Sequence, residues 1–285
     1  MRKYLNRIVA MLCVCAALFG HAHVSFADAM TDMEAFFYKP ESSSGLIDVP
    51  GKGPMRYYAQ NDSLWGDLTY EKDDTNTRRP FRDSGCSPTA VAMAVASLVP
   101  DKNLSKISKQ AKREYSLCSC SLNKARCNSS HTRYVLSSER DYVRFLPLIF
   151  GDFATGNNAA GSVSRAIAAG TGTGYLKDLL KVYGLQMTFT PDYSKARKAV
   201  QAGKAVVGLA GRGGAFTNQG HYLFLANVDS EQVYILDPLC RTTYNGYNQG
   251  NKVTLIQPGL VSLKHSDIAA AKFNNFIIIE KEAKK

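Results

Sequence analysis

The chain has 285 residues, 45% hydrophobic and 21% charged, and its 35 Lys and Arg against 24 Asp and Glu leave a net charge of +11. That apolar share excludes a disordered chain and is enough for one large domain or two small ones. The positive balance suits anionic surfaces such as cell-wall polymers or acidic lipids, but the basic residues form no stripe interleaved with aromatics, so no nucleic-acid partner is expected.

Arg2, Lys3 and Arg7 precede an uncharged run from Ile8 to Gly20, and Ala27-Asp28-Ala29 offers small residues around a cleavage point. Residues 1–29 read as an export signal, and their apolar run falls short of the ~20 residues that cross a bilayer. No transmembrane segment is expected after cleavage, and the product is expected outside the cytoplasm, secreted or in the cell envelope. Residues 30–55, with Ser42-Ser43-Ser44-Gly45, Pro50, Gly51, Gly53 and Pro54, read as a partly flexible leader, and residues 56–285 as one domain. Tyr57 to Gln60 is strand-like, and the polar stretch Asp67 to Arg82 is expected as an exposed loop.

Gly85-Cys86-Ser87-Pro88 then opens a charge-free run that Pro100 closes. Proline suits the first turn of a helix, and a helix apolar on every side must be buried, so this one is expected at the centre of the core. A thiol at its mouth meets unpaired N–H groups and the positive end of the helix dipole, which favour the thiolate. Cys86 therefore reads as a nucleophile or, since free cysteine is among the most buried residues, as a structural thiol.

Asp101 to Tyr115 has the pattern of an exposed, lysine-rich amphipathic helix, and a cysteine-rich insertion near residues 116–133 follows. Without the signal segment five cysteines remain: Cys86, Cys118, Cys120, Cys127 and Cys240. In an oxidising compartment one free thiol and two disulfides suit that number, which makes Cys118, Cys120, Cys127 and Cys240 disulfide candidates of undefined connectivity. A Cys₃His zinc site from Cys118, Cys120, Cys127 and His131 is the alternative, disfavoured by the Cys-x-Cys spacing, so neither a metal nor another cofactor is expected.

Beyond a Gly/Ala/Asn-rich region, Gly170 to Gly174 lacks the spacing of a phosphate loop and reads as the entry to a helix over Tyr175 to Tyr183. Strands are expected over 185–190, 205–209, 221–228, 232–236, 252–256, 260–263 and 275–280, with a helix over 193–202 between the first two. Helices first and a mainly antiparallel sheet afterwards make an α+β fold.

A nucleophilic cysteine needs a base, and the base an orienting group. His131 lies in the cysteine cluster and His265 in a surface-like turn, whereas His221 opens an apolar strand after a glycine-rich loop. Gln232 to Asp237 ends in a carboxylate followed by Pro238. If the two strands pair about Asp229-Ser230, the start of one lies beside the end of the other, and His221 meets Asp237. A core histidine is the competing reading of His221. Cys86 and His221 are 135 residues apart, inside the spacing of papain-type enzymes.

Four blocks, Tyr58-Ala59-Gln60-Asn61-Asp62-Ser63-Leu64-Trp65, Ser84-Gly85-Cys86-Ser87-Pro88-Thr89-Ala90-Val91-Ala92-Met93, Gly220-His221-Tyr222 and Asp237-Pro238, resemble those of the C39-like cysteine peptidases, a bacterial branch of the papain-like fold. The resemblance implies an exported cysteine peptidase in which a central buried helix carries the nucleophile Cys86. It makes His221 the general base and acid, Asp237 the group that holds the imidazole and Gln60 the oxyanion donor, with Trp65 and Gly220 at the substrate. The substrate it implies is a peptide or a cell-wall peptide, and an inactive binding relative is the other outcome. Gln60 stands 26 residues before Cys86, further than papain-like enzymes place it, so the loop from Asp67 to Arg82 must fold out to bring it back. The cysteine-rich insertion is not a feature of that pattern.

Overall fold

The computed structural model describes residues 43–67, 69–72, 78–111, 116–118, 133–135, 139–154, 166–167 and 170–283. The signal segment, residues 30–42 of the leader, Cys120, Cys127 and His131 lie outside the described residues.

The chain enters through a hairpin of β1 (Gly45–Val49) and β2 (Gly53–Tyr57). Short pairs follow: β3 (Thr69–Lys72) with β4 (Arg78–Pro80), β5 (Ser116–Cys118) with β6 (Arg133–Val135), and β7 (Ala166–Ile167) with β8 (Gly170–Thr171). Among them run the helices α1 (Phe81–Ser84), α2 (Cys86–Leu98), α3 (Asp101–Ala111), α4 (Glu139–Arg144) and α5 (Leu146–Ala154). After α6 (Leu176–Val182) the chain builds its main sheet from β9 (Leu185–Thr190), β10 (Ala205–Ala210), β11 (His221–Val228), β12 (Gln232–Leu236), β13 (Val253–Gln257), β14 (Leu260–Lys264) and β15 (Phe273–Lys281). The helix α7 (Tyr193–Gln201) joins β9 to β10. The sheet order is β13-β14-β12-β11-β10-β15-β9, every neighbouring pair is antiparallel, and the fold is α+β.

Alternation along β11 explains how this sheet is covered twice. Tyr222, Phe224 and Ala226 join the apolar cluster that contains α2, while Leu223 and Leu225 join the one that contains Ala196, Ala199 and Val200 of α7. A register shift between Leu225 and Asn227 then turns Val228 to the α7 side. Residues Cys86 to Val95 of α2 are all buried, and Ala90, Ala92 and Ala94 have no exposed surface. Small side chains on successive faces let β11, α5 and β2 all approach this helix closely, and Thr89 ties its own hydroxyl back to Gly85 O at 2.7 Å. The Pro88-to-Pro100 reading of α2 is thus displaced by only two residues, because Cys86 and Ser87 already sit in the first turn.

Two stretches differ from expectation. The end of the leader is a hairpin, since Ile47, Val49, Met55 and Tyr57 alternate inward and Gly51 and Gly53 take the positive φ angles of its turn. The polar stretch before Cys86 contains β3, β4 and α1 rather than loop alone.

The turn between β13 and β14 supports the centre of the molecule. Gly259 has φ +83°, its carbonyl accepts the N–H of Asp237 at 2.9 Å, and a Cβ there would stand 2.3 Å from the Tyr57 ring. Gly259→Ala combines a left-handed backbone with a clash in the core. It is expected to lower the unfolding free energy by about 2–4 kcal/mol in a urea titration.

Candidate active site

Strand pairing brings two distant residues of the sheet together. Phe224 pairs with Leu236, so the start of β11 lies beside the end of β12, where Asp237 follows directly. The His221 Nε2 lies 2.7 Å from Asp237 Oδ1, with His221 only 4% exposed and Asp237 fully buried. With Nε2 occupied, Nδ1 is left on the side of the thiol, and the Cys86 side chain is hydrogen-bonded to the imidazole. Cys86 stands in the first turn of α2, and its sulfur accepts the backbone N–H groups of Ser87 and Tyr222, one from the helix mouth and one from the strand beside His221.

These contacts set the charges. Burial pushes the Cys86 thiol up, but the hydrogen bond from His221, its charge and the two N–H groups outweigh burial and hold the thiol below its ordinary value. Burial alone drives His221 down, whereas the charge of Asp237 and the hydrogen bonds to Asp237 and Cys86 raise it to about 9. Burial disfavours the Asp237 carboxylate, yet Arg241 and His221 keep it below the usual range. These contacts favour the charged forms of all three groups, the Cys86 thiolate, the His221 imidazolium and the Asp237 carboxylate.

Gln60 reaches this group from the far side of the β3–β4 excursion. Its N–H donates to Pro238 O at 2.7 Å and its side-chain amide donates to Arg82 O at 2.5 Å, which binds it to the residues after Asp237 and to the turn before Cys86. Arg82 N also donates to Gly66 O at 2.9 Å, closing the excursion at its base. Gln60 is 2% exposed, and its Oε1 is buried without a hydrogen-bond partner.

The sequence profile of the Peptidase C39-like family matches residues 54–257. The chain belongs to that family. A search of curated proteins returns no match.

The matched span of this C39-like chain contains all four blocks and runs from β2 to β13. Within it Gly220 is exposed immediately before His221, at the rim of the site. Trp65, expected at the substrate, is 1% exposed instead. Its Nε1 donates to Ala59 O at 2.9 Å and its ring meets Phe145 edge-on at 6.0 Å, so it braces the loop that carries Gln60 from inside.

Cys240, expected in a disulfide, is a free thiol. It is half-buried, hydrogen-bonded to Tyr57 and Ser43, and held above the ordinary thiol value chiefly by burial. Of the other disulfide candidates, Cys118 is described only as the end of β5. The alternative zinc site falls with them outside the described side chains, and among the described residues no group of His, Cys, Asp or Glu is arranged to hold a metal ion. Among those residues, too, no helix is long and apolar enough to cross a membrane.

Sequence reasoning missed the far side of Asp237. Arg241 donates to its Oδ2, Tyr247 donates to the same oxygen at 3.2 Å, Leu239 N–H donates to Oδ1 at 2.9 Å, and Tyr57 donates to the backbone carbonyl at 2.8 Å. The available signal was the spacing Asp-Pro-x-x-Arg, which puts a guanidinium four residues after the carboxylate.

The two thiols are therefore expected to separate chemically. In peptide mass spectrometry after brief iodoacetamide treatment at neutral pH, Cys86 should be modified about tenfold or more faster than Cys240. The Cys86 rate should rise at a lower pH than that of an ordinary thiol, because its thiolate is the stabilised form.

Proposed function

We propose that this C39-like chain is an exported cysteine peptidase that hydrolyses peptide or amide bonds through a Cys86, His221 and Asp237 triad on a papain-like fold. One observation carries the reading: the continuous hydrogen-bonded chain from the Cys86 sulfur through His221 to the buried Asp237 carboxylate. Such a chain supports acyl transfer, because it holds an anionic nucleophile next to a proton donor in a water-poor pocket. Export rests on the character of residues 1–29.

In this mechanism the Cys86 thiolate attacks the carbonyl carbon and the π electrons move to oxygen. The backbone N–H of Cys86 and the second amide hydrogen of Gln60 Nε2 stabilise that oxyanion. The imidazolium of His221 gives its proton to the departing amine as the C–N bond breaks, leaving a thioester on Cys86. Water, deprotonated by the now neutral His221, attacks the thioester, and the acid leaves as the thiolate and imidazolium are restored. None of these steps calls for a metal or an organic cofactor.

Without residues 1–29 the chain keeps 32 basic and 23 acidic residues, and that net charge of +9 favours one second reading, in which the same site cuts the peptides of an anionic cell wall. Comparing turnover of purified peptidoglycan with turnover of casein assigns the substrate.

Cys86→Ala should abolish hydrolysis of either substrate, and activity that survives the change would refute the nucleophile. Gln60→Ala should lower kcat by about 10²–10³-fold with little change in KM, the signature of an interaction made in the transition state. The kcat/KM profile should be bell-shaped. It rises as the coupled pair loses its first proton from the thiol and falls near pH 9 as His221 loses the proton it must give to the amine.

A further inference from the structure

The segment after Asp237 is built around its outer oxygen. The side chain of Arg241 donates to Oδ2 and lies against the face of Tyr247, with the guanidinium carbon 4.6 Å from the ring centroid. Tyr247 adds its own hydroxyl to Oδ2 at 3.2 Å and packs edge-on against Phe216 at 6.0 Å. Gly246 leaves room for the arginine stem, since a Cβ there would stand 2.7 Å from Arg241 Cδ. Two further bonds fasten the segment to the glycine-rich loop that leads into His221: Gln249 N to Ala215 O at 3.3 Å and Asn248 Nδ2 to Gly214 O at 3.0 Å. The stretch from Arg241 to Gln249 thus grips Asp237 at one end and the approach to His221 at the other.

Asp237 is faced by His221 from β11, by Tyr57 from β2, and by Cys240, Arg241 and Tyr247 from its own downstream segment. Only His221 and Arg241 among these carry positive charge, and His221 does so only while protonated. Each time His221 hands its proton to a leaving amine, a fully buried carboxylate would face a neutral imidazole.

We propose that Arg241, seated on Tyr247, is a positioning residue that gives Asp237 a standing countercharge throughout the reaction cycle. A guanidinium is a permanent cation, so Asp237 keeps a charged partner when His221 is neutral. The mobile proton then passes between His221 and the substrate and is never trapped on the carboxylate. The two oxygens divide the work: Oδ1 orients the imidazole, and Oδ2 is held from behind. This rests on the reading of Cys86, His221 and Asp237 as the reacting triad.

The test follows the Cys86 modification rate against pH in the full chain, with iodoacetamide as the probe, beside kcat/KM against pH on a peptide substrate and thermal unfolding. In Arg241→Gln the carboxyl protonates at higher pH and the imidazolium loses its partner there. The acid limb of the modification profile should move up by about one pH unit, a roughly tenfold slower reaction at a fixed pH on that limb. Arg241→Lys, which keeps the charge, should restore the limb to within a few tenths of a unit, and Tyr247→Phe should move it upward by less than Arg241→Gln.

A purely structural role would lower activity evenly across pH. A Gln variant whose limb coincides with that of the parent overturns the proposal. Should the Gln variant fail to fold, Tyr247→Phe decides: an upward shift supports the standing countercharge, and an unmoved limb overturns it. An ordinary thiol profile in the parent protein overturns the triad reading and this proposal together, whereas an acidic parent thiol with an unmoved Gln limb overturns this proposal alone.

Discussion

A carboxylate with no solvent contact is costly, and Asp237 is such a group. Taking an isolated ion of that size out of water costs several kcal/mol even after the protein relaxes, so the site is stable only if charge and hydrogen bonds replace the lost hydration. They do so from several directions: an imidazole from the neighbouring strand, a guanidinium and a phenol from the following segment, and a backbone N–H from its own turn. The buried anion raises the basicity of His221, and His221 in turn acidifies Cys86. Remove the carboxylate's surroundings and the thiolate loses its cause, although no partner of Asp237 other than His221 contacts the sulfur through a described hydrogen bond.

The later half of the fold was legible because its strands are short apolar runs cut by turn residues. Leu185–Thr190, His221–Val228 and Gln232–Leu236 lie within the limits read from the sequence, and β10, β13, β14 and β15 differ by a few residues at their ends. The Asp229-Ser230 turn then gave the pairing of His221 with Asp237 without further assumption. The earlier half was less legible for a compositional reason. Ser, Gly and Pro around residues 42–54 outweighed the two inward residues that each strand of the β1–β2 hairpin offers, and the charged residues of 67–82 hid the β3–β4 pair and α1.

Within the candidate site, Cys86, His221, Asp237 and Gln60 were readable as chemistry, whereas their supports were not. The spacing of Arg241 from Asp237 gains meaning only once the turn after Pro238 is known, and Tyr247 has no such spacing, because a surface residue and a buried clamp look alike in sequence. Trp65 was misplaced for the opposite reason. As the only tryptophan, inside a matched block, it looked like a substrate platform, yet its indole N–H is spent on the carbonyl of Ala59, the residue before Gln60. Cys240 was expected to pair by counting, but it ends beside Tyr57 and Ser43, where hydrogen bonds rather than a second sulfur complete its surroundings.

The 26-residue excursion between Gln60 and Cys86 has a temporal meaning as well as a spatial one. Gln60 is fixed by Pro238, Tyr57 by Asp237 and Cys86 by His221, and each of these three contacts spans well over a hundred residues of chain. Contacts of that range form late in folding, after loop closure has been achieved. Until then Cys86 lacks the hydrogen bonds that His221 and the Tyr222 N–H give it in the closed sheet. Any reactivity that depends on those contacts is withheld until the strands carrying His221 and Asp237 have joined the sheet.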